Sequence, residues 1–372
     1  MKRIIKIILL SSVLCFVISI SVGAFDGNID SYLEEFETDN VFSSLDSATL
    51  NILEEIGITE ISYQSIFSLS PQKVFNALFN IVSSAIKEPV RYGIIIVGIL
   101  LITSLATSFI SKSEAVTIIG GGALSLCIAV PVSSSVSTAF SVLQSLLAFT
   151  TGFSGVFCGI VSASGNIALA TSHGALTVFL NNILSFFLVE FSRPVVNAMC
   201  SMGFLSCFDV YLYTGRFVSI LKKVYVFFLS LCGTIFSGLV TLKGVLSEGV
   251  DSLSSRSIRF VIGQSLPIVG GAVSETYSTL ISSLSLIKNT VGVFGIITVV
   301  VFVLPTLIEL LLWLLTLEIT LSVSQATGTA NVGCLLDIFK NCLVILIATI
   351  VMVATVFIIS VGVCIAVKGG IS

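Results

Sequence analysis

An almost unbroken run of apolar residues from position 290 to position 317 limits what this chain can fold into more than any other feature of its sequence. As an α-helix, this run would be about 42 Å long, which exceeds the ~30 Å hydrocarbon core of a bilayer. The composition agrees, because 55% of the residues are hydrophobic and only 10% are charged, whereas roughly a quarter are charged in soluble proteins. The chain is therefore predicted to be an integral membrane protein.

Similar runs elsewhere predict an all-α fold, a polytopic helical membrane protein with about six transmembrane helices. The spans are expected near residues 93–110, 115–137, 167–189, 224–242, 290–317 and 342–366. Residues 139–165 are apolar but interrupted by glycines, and we expect a re-entrant or interfacial element there. Within it, Gly155 and Gly159 have the spacing of a small-residue packing face.

Basic residues predict the orientation of these spans. Residues 190–223 contain four Lys and Arg residues and are predicted to be cytoplasmic under the positive-inside rule. Residues 195–213 would then form an interfacial element or a hairpin, and both ends of the mature chain would lie outside the cytoplasm.

The N-terminal 24 residues have the parts of a secretory signal peptide: basic residues up to Lys6, an apolar stretch over residues 7–20, and small residues before a cleavage point after Ala24. An uncleaved transmembrane helix is the alternative interpretation. In either case residues 25–92 are predicted to be an acidic extracytoplasmic segment, since residues 25–72 contain ten Asp and Glu residues and no Lys or Arg.

Two amphipathic helices are expected beside the spans. The first covers residues 70–88, with Ser70 as N-cap and Pro71 at its first position, and it should end before Pro89. The second covers residues 272–288. It belongs to the segment 243–288, which is predicted to lie outside the hydrocarbon because it contains six charged residues too costly for lipid: Glu248, Asp251, Arg256, Arg259, Glu275 and Lys288. Both helices should lie on the membrane surface or dock a partner.

Glu309 is the most informative single residue, because a carboxylate inside an apolar run must face protein or water. It could contact a proton or a substrate beside a kink at Pro305, where a backbone carbonyl loses its hydrogen bond. It could equally be a paired or protonated residue that fixes helix packing.

Other polar residues in the spans favour structural roles. His173, with Asn181, Asn182 and Ser185, is expected to form hydrogen bonds between helices, because no second histidine completes a metal site. Asp337, Lys340 and Asn341 lie one helical turn apart and predict a local ion pair.

Enzyme, cofactor and nucleic-acid functions have no support in the sequence. The formal net charge is -3 and no Lys/Arg cluster is present, which argues against nucleic acid. The nine cysteines never form a CxxC pair, there is no GxSxG motif, and the triple glycine at 120–122 lacks the remainder of a phosphate loop. We expect no catalytic, cofactor-binding or metal site.

Residues 254–315 carry the most specific motif, RFVIGQSLPIVGGAVSE followed by a serine-rich helix and KNTVGV. This run resembles the signature region of the stage III sporulation protein AE family of endospore-forming bacteria, and the resemblance extends more loosely from about residue 71 to the C-terminus. Six residues match the motif by position and have a hypothetical functional role: Arg256, Arg259, Pro267, Gly270, Gly271 and Glu275.

The resemblance implies a subunit of the channel complex that joins mother cell and forespore, located in the mother-cell membrane around the forespore. The implied partners are other proteins of the same operon, including a secretion-type ATPase and ring-forming proteins, and a forespore membrane protein. It implies no catalytic residues. The residues themselves leave a second hypothesis open, an independent small-molecule or ion permease with discontinuous helices near Glu309.

Overall fold

In the computed structural model, the described residues are 45–67, 69–109, 114–206, 214–265, 270–328 and 330–367, and this part of the chain contains helices and no strand. The predicted signal peptide and the first residues of the acidic segment lie outside the described residues. The helices are α1 Ser47–Ile56, α2 Tyr63–Phe67, α3 Pro71–Ala85, α4 Lys87–Phe109, α5 Glu114–Ala163, α6 Ile167–Phe186, α7 Arg193–Leu205, α8 Thr214–Ser265, α9 Gly270–Ala326 and α10 Ala330–Ala366, with a π-helical turn at Phe187–Ser192 between α6 and α7.

The long helices confirm the all-α membrane fold. Within the described residues, six helical stretches are long and apolar enough to cross a bilayer. Helices α9 and α10 form the centre of the bundle, because 61% and 56% of their most apolar windows are buried, against 22% for α8. Helices α5 and α8 pack against this central pair, and α6 packs against α5 and α8.

The re-entrant element expected at residues 139–165 does not form, because α5 continues from Glu114 to Ala163 without a break, and an interfacial position for this part of α5 stays a prediction. Aromatic packing explains its continuity. Phe149, Phe153 and Phe157 all face inward and are buried, and neighbouring rings in this series have centroids 5.8 and 5.4 Å apart. The glycines of the same stretch do not interrupt the backbone hydrogen bonds of the helix.

In its described part, the element expected at residues 195–213 forms no hairpin, and its interfacial position stays a prediction. Residues 195–205 belong to α7, which continues from α6 through the π-helical turn. That turn adds residues without ending the helical path. Ser192, in the turn, forms a 2.6 Å hydrogen bond with the hydroxyl of Tyr225 on α8, and the same tyrosine hydroxyl lies 3.0 Å from Thr349 Oγ1 on α10.

Helix α3 begins as predicted, with Ser70 as N-cap and Pro71 at the start of the helix. It ends at Ala85, and Ile86 alone separates it from α4, so the two helices form one stretch of 39 residues. Its Ala77 face packs inward on α1 and α9. The opposite apolar stripe, which includes Phe75 and Phe79, is exposed, and a partner for it stays a prediction.

The 243–288 segment is not separate from the spans. Residues 243–265 extend α8, and residues 270–288 form the first turns of α9, which begins two residues before the predicted amphipathic helix. Asp251 and Lys288, two of the six charges that suggested an external position, are buried within the chain. Two arguments for an external position remain. Glu248, Arg256 and Glu275 are exposed, and α8 and α9 are about 78 and 86 Å long at 1.5 Å per residue.

Candidate functional site

Glu309 lies on the side of α9 that faces α5. The helix continues through Pro305, whose ring removes the hydrogen bond to the carbonyl four residues earlier. Ser135 of α5 donates a hydrogen bond of 3.0 Å to Glu309 Oε1. Glu309 is half-buried, and its partner is a side chain on a neighbouring helix. This contact supports the packing interpretation of Glu309, while a transport role stays a hypothesis.

We expect the substitution Glu309→Gln to preserve folding, because the glutamine carbonyl can accept the same hydrogen bond from Ser135. Spore formation and protein level should match those of the parent strain. The matched pair Ser135→Ala and Ser133→Ala tests the contact, since only the first removes a donor to Glu309. Loss of spores at a normal level of the Gln variant would instead show that an ionised carboxylate is required.

Two of the four polar residues predicted to connect helices do so. The ring Nδ1 of His173 lies 3.1 Å from Ser360 Oγ on α10, and Asn181 donates to Thr150 and Thr151 on α5 at 3.0 and 2.7 Å. Asn182 bonds only the backbone of its own helix, at Val178 O, among the described residues. The prediction of interhelical bonding is therefore confirmed for His173 and Asn181.

His173 also borders a small cavity of about 10 Å³ between α6, α8 and α10. Its Nε2 is buried and has no hydrogen-bond partner among the described residues. Ser172, Lys243 and Ser360 line the same cavity. Its size is near the lower limit for one water molecule, so the cavity is too small for an organic substrate.

Asp251 connects the extended part of α8 to the beginning of α6. Its two carboxylate oxygens accept hydrogen bonds from the backbone N–H groups of Ala168 and Leu169, at 2.9 and 3.0 Å. The N-cap residue of α6, Asn166, makes no side-chain cap of its own. A carboxylate is well suited to this position, because the first N–H groups of a helix have no intrahelical acceptor and carry partial positive charge.

Lys288 of α9 contacts the C-terminal end of α10, where the charge of the helix terminus is opposite to that at the start of α6. Its side chain is completely buried, and Nζ donates a 2.6 Å hydrogen bond to the carbonyl of Val367, just beyond the last helical residue. The C-terminal end of a helix carries partial negative charge and stabilises a cation. Asp251 and Lys288 thus each complete a helix terminus.

The predicted ion pair near the start of α10 is confirmed and belongs to a larger group. Lys340 Nζ lies 3.0 Å from Asp337 and 3.2 Å from Glu318 of α9. Lys222 of α8 donates to Asn341 at 2.8 Å. These contacts hold α8, α9 and α10 together beside the connection between α9 and α10.

The motif residues lie around the α8–α9 connection. Arg256 is exposed on α8, Glu275 is exposed on α9, and Arg259 belongs to the last turns of α8. Gly270 and Gly271 form the start of α9. Pro267 lies outside the described residues.

Sequence reasoning did not identify Ser135, Asp251 or Lys288 as paired residues. Ser135 is one of several serines on its helix, and its partner is 174 positions away. Asp251 and Lys288 were counted as charges unfavourable in lipid, without regard to the direction in which they point. A helical-wheel analysis of α8 offers a signal, because Lys243, Ser247 and Asp251 are spaced four residues apart on one face.

These polar contacts join helices and do not form a recognisable catalytic arrangement. In the part of the chain that the structure describes, no group of three His, Cys, Asp or Glu residues could hold a metal ion. The observed geometry is that of a bundle fixed at several levels by hydrogen bonds.

Comparisons with known proteins agree with the motif at residues 254–315. The sequence profile of stage III sporulation protein AE matches residues 55–368. Stage III sporulation protein AE of Bacillus subtilis (strain 168) is 20% identical over 230 residues, which are 62% of this chain and 58% of that relative. No solved structure matches the chain. The profile match covers most of the chain, which therefore belongs to the stage III sporulation protein AE family.

Proposed function

We propose that this protein is a membrane subunit of the channel complex between mother cell and forespore, a specialised secretion or feeding apparatus needed for spore development. The observation that carries the proposal is the family match over residues 55–368 together with six membrane-length helices. In this proposal the chain lies in the mother-cell membrane around the forespore and contributes to the pore, to an export gate or to assembly. Its role is not catalytic.

The far end of α8 supports a role that depends on partners. Beyond the exposed Glu248, the helix continues to Ser265, with Leu253 and Phe260 66% and 65% exposed. In this proposal the end of α8 lies outside the hydrocarbon, where exposed apolar side chains of this size would form a surface for a partner. The proposed partners are proteins of the same operon, including a secretion-type ATPase and ring-forming proteins, and a forespore membrane protein.

An independent small-molecule or ion permease is the second candidate, and Glu309 is the observation that favours it. A carboxylate at membrane depth is a common feature of ion and substrate pathways. Ser135 already donates a hydrogen bond to one carboxylate oxygen of Glu309, so that oxygen is not free for an ion or a substrate.

The paired substitutions Leu253→Glu and Phe260→Glu test the partner-dependent role. Because both side chains are exposed, the melting temperature should not change, whereas spore development should stop after engulfment, and a strain that lacks the gene should show the same block. Ser257→Glu, on the same exposed helix, is the matched control and should form spores normally. Normal spore counts in the double variant would contradict the docking role of this surface.

Purification separates the two candidate functions. The channel-subunit proposal expects the protein to purify from sporulating cells with other sporulation proteins and to move no solute alone in liposomes. Solute uptake by the purified chain without partners would favour the permease.

A further inference from the structure

Two cysteine thiols meet where α7 packs on α10. The Sγ atoms of Cys200 and Cys342 are 3.9 Å apart, although the residues are 142 positions apart in the sequence. Both are free cysteines. Cys342 is completely buried, whereas Cys200 is half-buried. One sulfur atom of the pair is therefore partly accessible from outside the bundle, and the other is held in the core.

Contacts on the next turn of α7 hold the two helices together. Gly203 has little room for a side chain, since a Cβ atom there would lie 3.2 Å from Ile338 Cγ2. The ring of Phe204 packs edge-on against the ring of Phe339, with centroids 5.4 Å apart. Because this close packing sets the distance between α7 and α10, the two sulfur atoms stay within reach of each other.

A disulfide bond between these thiols requires only a short movement. The S–S bond is about 2.05 Å long, so the two sulfur atoms must approach by about 1.9 Å. Rotation of the half-buried Cys200 side chain about its Cα–Cβ bond can supply this movement. The change can then be confined to the side chain, with Cys342 fixed by the core around it.

The pair lies beside a charged part of the bundle. Asn341, next to Cys342, belongs to the group of polar contacts between α8, α9 and α10. In that group the side chains of Glu318 and Asp337 are 57% and 40% exposed. Exposed charges at this level indicate that water reaches it, so a small polar oxidant can approach Cys200.

We propose that Cys200 and Cys342 form a reversible disulfide bond in response to a peroxide and thereby link α7 covalently to α10. The Cys200 sulfur attacks one oxygen of hydrogen peroxide, the O–O bond breaks, and the released hydroxide takes up the thiol proton as water, which leaves a sulfenic acid. The Cys342 sulfur then attacks the Cys200 sulfur, the S–O bond breaks, and hydroxide leaves with the Cys342 proton as a second water. In total, two thiols are oxidised by two electrons and one peroxide is reduced to two waters.

The bond is reversible because small thiols reduce it by exchange. Residues 190–223, which include Cys200, are predicted to be cytoplasmic, and a reducing cytoplasm keeps such thiols free. The link would then form only under oxidising conditions. Because it closes a loop of 142 positions, it should stabilise the bundle. This inference does not depend on the proposed channel role.

Mass spectrometry of the full-length protein in liposomes tests the site. After brief exposure to hydrogen peroxide, the remaining thiols are blocked with N-ethylmaleimide and the protein is digested. Two peptides joined through Cys200 and Cys342 should appear, and dithiothreitol added before the blocking step should remove them. An unchanged number of free thiols, loss of thiols without this link, or a link between other cysteines in its place would overturn the proposal.

Thermal unfolding in detergent measures the effect of the link. The melting temperature of the oxidised wild-type protein should exceed that of the reduced protein by several degrees. Cys200→Ser should show no such rise. Cys232→Ser, which replaces a half-buried cysteine on α8, is the matched control and should keep the full rise. No rise in the wild-type protein, or an equal rise in Cys200→Ser, would contradict a covalent link between α7 and α10.

Discussion

Replacing Asp251 with alanine should lower the free energy of unfolding by about 2–4 kcal/mol, because two backbone N–H groups at the start of α6 lose their acceptor together. The carboxylate accepts from Ala168 and Leu169, and the N-cap side chain of α6 does not substitute for it. Thermal unfolding in detergent measures the loss as a lower melting temperature.

Asp251→Asn and Glu248→Ala complete this experiment. The asparagine side chain keeps one of the two acceptor oxygens and has no charge. The melting temperature of the Asp251→Asn variant should therefore lie between those of the parent and the alanine variant. Glu248 is exposed on the same helix, three positions earlier, and its replacement should have little effect. Equal melting temperatures for the Asp251 and Glu248 alanine variants would contradict the helix-capping role.

Gly295→Ala should destabilise the bundle by about 1–3 kcal/mol through overpacking between α9 and α5. A Cβ atom there would come within 2.3–2.7 Å of ring atoms of Phe153. That ring is buried and has aromatic neighbours in Phe149, Phe157 and Phe357, so it cannot move aside without displacing them. The melting temperature in detergent should fall.

Gly238→Ala should instead raise the stability of the bundle. A Cβ atom at Gly238 meets nothing within 4 Å, and alanine is the better helix former by up to about 1 kcal/mol. Adding Phe153→Leu to Gly295→Ala should recover part of the lost stability, because the two changes are coupled through one contact. A Gly295→Ala variant as stable as the parent would show that α5 and α9 are not in close contact at this level.

Much of the fold could be predicted from the lengths of the uncharged apolar runs in the sequence. The apolar runs identified the long helices, Ser70 and Pro71 marked the start of α3, and the spacing of Asp337 and Lys340 indicated their ion pair. These are local signals, because cap residues and neighbours one turn apart are determined by a few adjacent positions.

Helix continuity and side-chain direction were harder to predict. The glycines of α5 suggested breaks, but inward-facing Phe149, Phe153 and Phe157 stabilise the helix through contacts with other helices. Asp251 and Lys288 were judged by charge alone, yet each points toward a helix terminus contributed by a distant part of the chain. Such pairings depend on how the helices pack in three dimensions. Neighbouring residues in the sequence do not indicate which distant helix end a side chain will contact.

The length of α9 has a mechanical consequence. From Gly270 to Lys288 the helix is continuous and about 27 Å long, and Lys288 is the first level at which a buried side chain fastens it to the end of α10. A tilt of 10° at the level of Lys288 would move the start of α9 by about 5 Å. Force applied to the α8–α9 connection would therefore reach the hydrogen bond between Lys288 and Val367 through the helix backbone, before it reached the buried centre of the bundle.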